Sequence, residues 1–266
     1  MGTQMKKRTT SLLLCLALLF VFAAFSACSG NGSGISSSAD LKNKKIGAIQ
    51  GTAAYETAKS FVKNGCELIP YSGSDELNTA LALGAVDCVI TDNYSAKKLA
   101  ANDTSLKVLD EVLDESELVF NALKSKKVYI IMLNKAIAAL KENGTLDRII
   151  DAYVNDSGEK FDFSTAPDDS NGTFTIALSS GLAPFAVKTD SDTLDGVEPA
   201  YIYELCKQLG CGYMVADISA TVINEALRGG LCDFALGSYD IANAVNVEEI
   251  MSTDPILTLK HVIVTK

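Results

Sequence analysis

Two carboxylates stand where apolar stretches of the sequence give way to polar residues. Asp92 follows closely on the apolar run at residues 88–90, and Asp240 follows the run at residues 234–236. Ligands of open α/β sheets bind outside the carboxyl ends of the strands, so both positions are candidate ligand contacts. Paired carboxylates can also perform acid–base chemistry when the pKa of one is raised. The pattern favours a site for a small polar molecule, and nothing else in the sequence demands catalysis.

A short turn near the start of the folded region offers a second kind of chemistry. Gln50-Gly51-Thr52 follows an apolar strand pattern and precedes a helical pattern at residues 53–63. Backbone N–H groups and a hydroxyl at a helix N-terminus form a general anion-binding geometry. A Gly-Thr turn is common in α/β chains, so this motif alone is weak support for an anion site.

The residue inventory argues against catalysis, metal binding and nucleic-acid binding. His261 is the only histidine in 266 residues, and the seven cysteines show no Cys-x-x-Cys pair or other metal-ligand spacing. The sequence contains no phosphate-binding glycine loop and no Ser-His-Asp set. Its net charge of −10 repels phosphate backbones. We therefore expect no enzyme activity, no metal, no cofactor and no nucleic-acid partner.

Two cysteines fall within apolar runs. Cys88 and Cys232 occupy strand patterns, where cysteine behaves as a small hydrophobe. We expect buried free thiols, with a Cys211–Cys232 disulfide between neighbouring strands as the alternative.

One motif occurs twice, 146 residues apart. The copies are Ala80-Leu-Ala-Leu-Gly84-Ala-Val-Asp87 and Ala226-Leu-Arg-Gly-Gly230-Leu-Cys-Asp233, each followed by an apolar run. Each predicts a helix that ends at a left-handed glycine, a short loop and a buried parallel strand. Two such strand ends predict two lobes that face a shared cleft. A chance match of a common helix ending is the alternative.

The N-terminus has the organisation of an export signal. Basic residues precede an apolar stretch at residues 12–25, which is short for a membrane-spanning helix of ~20 residues. The following Phe25-Ser-Ala-Cys28 resembles the lipobox of bacterial lipoproteins, with Phe25 in place of the usual Leu. We predict a signal peptide at residues 1–27, lipidation of Cys28 and a Gly/Ser-rich tether at residues 28–40. An uncleaved anchor and an ordinary secretory signal are the alternatives.

Helical and strand patterns alternate from residue 44 onward, which predicts an α/β fold. Residues 155–171 change to Asp, Ser, Gly and Pro with little periodicity and are predicted to be a linker. We place one lobe at residues 41–116 and the other at residues 117–266, with the linker inside the second.

Several segments together resemble the family 3 extracellular solute-binding proteins, the amino-acid-type periplasmic binding proteins of ABC importers. They cover residues 40–155 and 172–265. The segments are Asp40-Leu-Lys-Asn-Lys-Lys-Ile-Gly47, Gln50-Gly-Thr52, Gly84-Ala-Val-Asp87 through Asn93, Asn134-Lys-Ala136, Asn143-Gly-Thr-Leu-Asp147, Ala183-Pro-Phe185 and Gly196-Val-Glu198. The resemblance implies a type II periplasmic-binding-protein-like fold, with two α/β lobes, a hinge and an interlobe cleft.

The order of these segments departs from the family. The segment at residues 40–47 begins the family's second lobe, whereas the pattern of the first lobe comes last here and ends at Lys266. The chain therefore resembles a circularly permuted member, with the linker joining the old termini and one continuous connection between lobes near residues 113–118. That arrangement predicts a looser hinge, unless residues 40–45 and residues 262–266 still lie side by side. A fragment or fused gene piece is the alternative.

The resemblance also implies roles for cleft residues. Asp92 would bind a ligand ammonium, Thr52 would help bind its carboxylate, and Phe185 would form a wall; a helix cap at Asp92 and a core position for Phe185 are the alternatives. The family's carboxylate-binding Arg is missing from residues 238–246, and Leu182 replaces the usual aromatic. The candidate ligand-binding residues are Gly51, Thr52, Asp92, Ser179, Leu182, Phe185, Ser238, Tyr239, Asp240 and Asn243.

The resemblance implies a monomeric, lipid-anchored protein on the extracellular face of the membrane that captures a small polar solute for an ABC permease. Without the Arg, a solute with added cationic or hydroxyl character suits the site better than a plain α-amino acid. A ligand-sensing or degenerate binding lipoprotein is the alternative, and a small-acid dehydratase on the same fold is the least favoured.

Overall fold

Alternating helices and strands build the chain, as the sequence pattern predicts. A computed structural model describes residues 34–163, 165–239 and 247–266, so the predicted signal peptide and Cys28 lie outside the described residues. The helices are α1 (Ala53–Ser60), α2 (Ser74–Ala82), α3 (Asn93–Asn102), α4 (Lys127–Glu142), α5 (Thr145–Tyr153), α6 (Val197–Leu209) and α7 (Ile223–Arg228). The described part of the chain contains no helix with the length and apolar character needed to cross a membrane.

Twelve strands accompany these helices in the described ranges. They are β1 (Lys45–Ile49), β2 (Glu67–Tyr71), β3 (Cys88–Asp92), β4 (Lys107–Val108), β5 (Asp114–Leu123), β6 (Thr173–Leu178), β7 (Val187–Lys188), β8 (Leu194–Asp195), β9 (Gly212–Asp217), β10 (Phe234–Gly237), β11 (Ile250–Ser252) and β12 (Leu257–Thr265).

The main sheet runs in the order β2-β1-β3-β12-β5-β10-β6-β9 and has two halves that share β5. The first half, β2-β1-β3-β12, pairs with the beginning of β5, from Asp114 to Leu118. The second half, β10-β6-β9, pairs with the end of β5, from Val119 to Asn121. Parallel pairs within each half and antiparallel pairs at β5 make the sheet mixed. The predicted α/β fold is confirmed, and the sheet of the described residues has two halves.

Both copies of the repeated motif end their helices in the same way. Gly84 and Gly230 adopt left-handed conformations, with φ of 72° and 71°. In the first copy the N–H of Ala85 donates to the carbonyl of Ala80, and in the second the N–H of Leu231 donates to that of Ala226. This six-residue bond is typical of a glycine-terminated helix. The two copies of the motif therefore share a local structure, which argues against a chance match of sequence.

The aspartates of the motif hold the neighbouring parallel strand. Asp87 accepts a hydrogen bond from the backbone N–H of Lys45 at 2.7 Å, and its own N–H donates to the Lys45 carbonyl at 2.9 Å. Asp233 makes the same two bonds to Thr175, at 2.8 and 2.7 Å. Asp233 also pairs with Lys126. Asp87 thus fixes the first residue of β1, and Asp233 fixes the third residue of β6, beside the strand that follows the motif.

The connection between the halves differs from the prediction. A single continuous connection near residues 113–118 was expected, but the chain crosses twice, through β5 and again between β11 and β12. β11 pairs with the end of β5, and β12 pairs with its beginning and with β3. The predicted boundary at residue 116 is therefore wrong for β12, because five residues of this strand bond to the strand that ends at Asp92. Ile263 of β12 also packs with Leu41 and Ile46 in one core.

Residues 155–163 and 165–171 contain no helix or strand, in agreement with the predicted linker. They nevertheless pack on the second half. Phe161 stacks on Tyr153 with ring centroids 6.0 Å apart, and Phe163 meets Tyr203 edge-on at 5.6 Å. The linker is therefore attached to the core by aromatic contacts.

The cysteines of the described ranges are buried free thiols, as expected. Cys211 and Cys232 lie in different hydrophobic cores, so the alternative disulfide between them is not formed. Cys211 instead lies beside Cys206 near the end of α6, where its backbone N–H donates to the Cys206 carbonyl at 3.0 Å.

Replacing the motif glycines by alanine tests whether their left-handed backbone matters. No atom lies within 4 Å of a Cβ built at Gly84 or Gly230, so only backbone strain is added. We expect each alanine variant to lower the free energy of unfolding by about 1 kcal/mol, measured by urea denaturation. Asparagine, which tolerates this conformation, should cost less. An alanine variant as stable as the parent would contradict the assignment.

Candidate functional site

A cavity lies between the two halves of the sheet, where β1, β3 and β10 end. The cavity volume is about 50 Å³. Six residues that the sequence singled out line this cavity, two from the first half and four from the second. They are Thr52, Asp92, Leu182, Phe185, Ser238 and Tyr239.

The other predicted residues are placed elsewhere. Gly51 contacts the opposite half directly, since a Cβ there would lie 2.7 Å from the backbone of Ala220. Ser179 is buried, and its hydroxyl accepts a hydrogen bond from the N–H of Ala220 at 3.1 Å. The structure does not bring these two residues into the cavity lining. Asp240 and Asn243 lie outside the described residues.

Asp92 caps the N-terminus of α3. Its carboxylate accepts hydrogen bonds from the backbone N–H groups of Tyr94 and Ser95, both at 2.9 Å, and from the Ser95 hydroxyl at 2.6 Å. Burial raises the pKa of Asp92, and the bonds from Ser95 and Tyr94 offset part of that rise. The cap anticipated as an alternative is thus present, and the same carboxylate faces the cavity.

Thr52 caps α1 and leaves little free for a ligand. Its hydroxyl donates to the carbonyl of Ile49 at 2.8 Å and accepts from the N–H of Tyr55 at 3.3 Å. The next N–H, of Ala53, donates to the carbonyl of Ser238 across the cavity at 3.1 Å. The donors expected to bind an anion are therefore engaged by the protein itself.

A second helix end is closed in the same way. The N–H of Ser74, at the start of α2, donates to the carbonyl of Gly181 at 2.8 Å. The hydroxyl of Ser74 accepts from the N–H of Ala183 at 3.0 Å. The two halves are thus in direct contact on this side of the cavity.

Tyr239 forms part of the wall from the second half. Its ring folds over Gly237, where any side chain would collide with it, and its hydroxyl accepts from the N–H of Ser179 at 3.1 Å. Burial, followed by the charge of Glu198, raises the pKa of Tyr239 well above its ordinary value. The phenol is therefore neutral at physiological pH.

His261 joins the halves through a chain of hydroxyls. Its Nε2 lies 2.8 Å from the Ser116 hydroxyl and its Nδ1 lies 2.7 Å from that of Thr57. Ser238 donates to Ser116 at 2.7 Å. Burial lowers the pKa of His261, although Asp114 opposes the effect. A neutral imidazole that accepts a hydrogen bond at Nε2 and donates one at Nδ1 is compatible with all the hydrogen bonds in this series of hydroxyls.

Glu198 is a cavity residue that sequence reasoning missed. It follows Gly196 at the start of α6, and its N–H donates to the Phe185 carbonyl at 2.9 Å. The side chain is 2% exposed and lines the cavity. Burial and then the charge of Asp92 raise the pKa of Glu198 well above its ordinary value. The one available signal was an acidic residue inside the apolar string Val197-Glu-Pro-Ala200.

Ser74, Ser95, Ser116 and His261 also line the cavity without having been predicted. Ser116 and His261 form a Ser–His pair that the sequence did not suggest, because 145 residues separate them. The second ring nitrogen meets a threonine and not a carboxylate, so the pair lacks the third member of a catalytic triad.

Sequence comparison finds similarity to periplasmic binding proteins. The chain is 27% identical over 126 residues to the histidine-binding periplasmic protein of Salmonella typhimurium, which is 44% of this chain and 48% of that protein. It is 26% identical over 124 residues to the histidine-binding periplasmic protein of Escherichia coli K12. The chain thus spans about half the length of the curated relatives it matches. No family model matches it.

Structural comparison finds matches of low score and low identity. The ligand-binding core of GluR0 in complex with L-glutamate matches 84% of this chain, with a TM-score of 0.46 and 10% identity. A point mutant of arginine-bound ArgBP from T. maritima matches 84% of this chain and 87% of its own length, with a TM-score of 0.43 and 9% identity. At this level the comparison identifies no ligand for the cavity.

The buried histidine predicts a pH dependence of stability. The folded-state pKa of His261 lies below the value of about 6.5 for an unfolded chain, so stability is complete above that pH and falls as the pH drops. We expect the loss to reach at most ~1.4 kcal/mol per pH unit. His261→Gln should remove this component in urea denaturation between pH 7 and pH 5. An unchanged difference between the two proteins across that range would contradict the assignment.

Proposed function

We propose that this protein is a lipid-anchored, extracellular solute-binding protein that captures an amino acid or a related amine for an ABC importer. The observation that carries the proposal is the cavity to which both halves of the sheet contribute, with Asp92 from one half and Ser238 and Tyr239 from the other. The similarity to histidine-binding periplasmic proteins supports a solute-binding role.

Binding requires the halves to separate. A solute enters the cavity only when the contacts of Ala53 with Ser238 and of Ser74 with Gly181 open. The crossing through β5 and the crossing between β11 and β12 together provide a hinge for that movement, because a few residues between β11 and β12 can absorb a rotation. The solute would then replace protein–protein bonds with its own.

We also propose that the order of the two lobes is circularly permuted, with lobes formed mainly by residues 41–116 and 117–266. The segment at residues 257–265 is the exception, since β12 returns to the first half. The aromatic contacts of the linker suit a segment that joins the old termini along the surface of the second half.

A ligand-sensing or degenerate binding protein is the second candidate function. It is favoured by the engagement of the α1 and α2 donors with backbone carbonyls of the opposite half, which leaves those N–H groups satisfied without a solute. Binding is favoured over catalysis, including that of a dehydratase, because the Ser116–His261 pair has no carboxylate partner on its second nitrogen.

Calorimetric titration of the purified protein tests solute binding. We expect one member of a panel of amino acids, simple amines, polyamines and small peptides to bind with a stoichiometry of about one, as a single cavity requires. Leu182→Trp, which fills the cavity, should abolish that binding. Leu231→Trp changes a side chain that is 70% exposed and is the control. A panel without a binder would contradict the proposal.

Lipidation is tested by labelling in a bacterial host. With radiolabelled palmitate we expect incorporation into the parent and recovery in the membrane fraction, because two acyl chains hold a protein at a bilayer stably. Cys28→Ser should lose both. Cys15→Ser, the same change within the predicted signal peptide, should retain both. Equal labelling of the Cys28→Ser protein would exclude this anchor.

A further inference from the structure

We propose that the cavity binds an amine with one ammonium group, an apolar body and no carboxylate, and that Glu198 provides the counter-charge for the ammonium. This inference rests on the solute-binding function proposed above and specifies the class of solute. Its starting point is a buried acid with unused hydrogen-bonding capacity.

Glu198 is held in place without being satisfied. Its backbone bond to Phe185 and the close approach of Gly196 to the same carbonyl fix the first turn of α6 at the cavity wall. The Oε2 atom has no hydrogen-bond partner among the residues that the structure describes. An ionised carboxylate buried without a partner is costly, so the group must hold a proton or meet a cation.

Among the residues that the structure describes, the cavity wall supplies no such cation. The described residues that line it include no Lys and no Arg. Asp92 adds a second acid, Tyr239 is a neutral phenol, and His261 stays neutral because of its lowered pKa. The oxygens of Asp92 already accept three hydrogen bonds at the start of α3. A positive charge that neutralises Glu198 must therefore come from the solute.

The same wall disfavours a carboxylate on the solute. The N–H groups of Ala53 and Ser74 are bonded to carbonyls of the opposite half. An amino acid in this cavity would bring its carboxylate close to Glu198 and Asp92 with no basic side chain to balance it. We therefore expect the cavity to bind an amine more tightly than the amino acid that has the same apolar group.

The body of the solute meets apolar side chains. Leu118, Leu182, Phe185 and Leu259 line the cavity beside Glu198, and Tyr94 supports Phe185 edge-on at 6.4 Å. A branched alkyl or aryl group buries its surface against them, whereas a second charged group on the solute would not find a partner.

Binding of the ammonium displaces a proton. In the free protein the raised pKa of Glu198 keeps the carboxyl protonated over a range in which an exposed glutamate is ionised. Below that pKa the affinity for an amine should fall roughly tenfold per pH unit, as one proton is exchanged for the ligand. The pKa of Asp92 is also raised, so Asp92 could release the proton instead. The Glu198→Gln variant is needed to show which carboxyl releases it.

Three probes that share one branched body test the inference. Isopentylamine carries the ammonium alone, leucine adds a carboxylate, and isoamyl alcohol has no charge. We expect the full-length protein to bind isopentylamine at least about tenfold more tightly than either of the others. At a pH where the affinity falls on acidification, repeating the titration in buffers of different ionisation enthalpy should show release of about one proton per amine bound.

Glu198→Gln keeps the shape of the protonated side chain and removes its charge. It should weaken isopentylamine binding about 10- to 100-fold and abolish proton release. Glu204→Gln makes the same change on the same helix, where Glu204 pairs with Lys207, and should alter neither. Thermal unfolding of both variants at pH 7 checks that they are folded.

The outcomes separate the two proposals. Equal binding of leucine or isoamyl alcohol, or full affinity in Glu198→Gln, would overturn the role of Glu198 while solute binding stands. A binder found in the wider panel but no binding of isopentylamine would also overturn it. Absence of binding by every compound would overturn both proposals together.

Discussion

One strand, β5, carries the hydrogen-bond ladders of both halves. Its first five residues pair with β12, and the residues from Val119 onward pair with β10 and β11. Because the backbone of one strand sets both registers, the ends of β3 and β10 meet at the same place. The cavity exists because these two strand ends face each other, and the return of the chain through β12 adds a second connection beside β5.

The repeated aspartates, Asp87 and Asp233, fix the positions of strands that lead to the cavity. Asp87 bonds both to and from Lys45, the first residue of β1, and Asp233 does the same with Thr175, the third residue of β6. A fixed strand start determines where the strand ends, since the rise per residue is nearly constant. The position of Asp92 at the cavity is therefore a consequence of a hydrogen bond at the opposite edge of the sheet.

Closure of the halves gives the cavity its acidic character. Helix N-termini ordinarily favour anions. At the N-termini of α1 and α2, however, backbone N–H groups donate to carbonyls of the opposite half. The N-terminus of α3 is capped by Asp92. What remains is Glu198, whose charge has no counterpart among the described residues of the lining. The absence of an Arg from residues 238–246 and the burial of Glu198 both favour a positively charged solute.

The sequence by itself determined the helices, most strands and the six cavity residues next to strand ends, because caps, glycine stops and apolar runs are local signals. It did not show β2, an edge strand that contains Pro70, or the pairing of β12 with β3. The sequence also did not show that Glu198, in the first turn of α6, is buried at the cavity. Strand pairing across more than 150 residues and the burial of a charge depend on which surfaces the fold brings together. Only the tertiary structure decided those features, because burial and pairing are properties of the assembled surfaces and not of a local pattern.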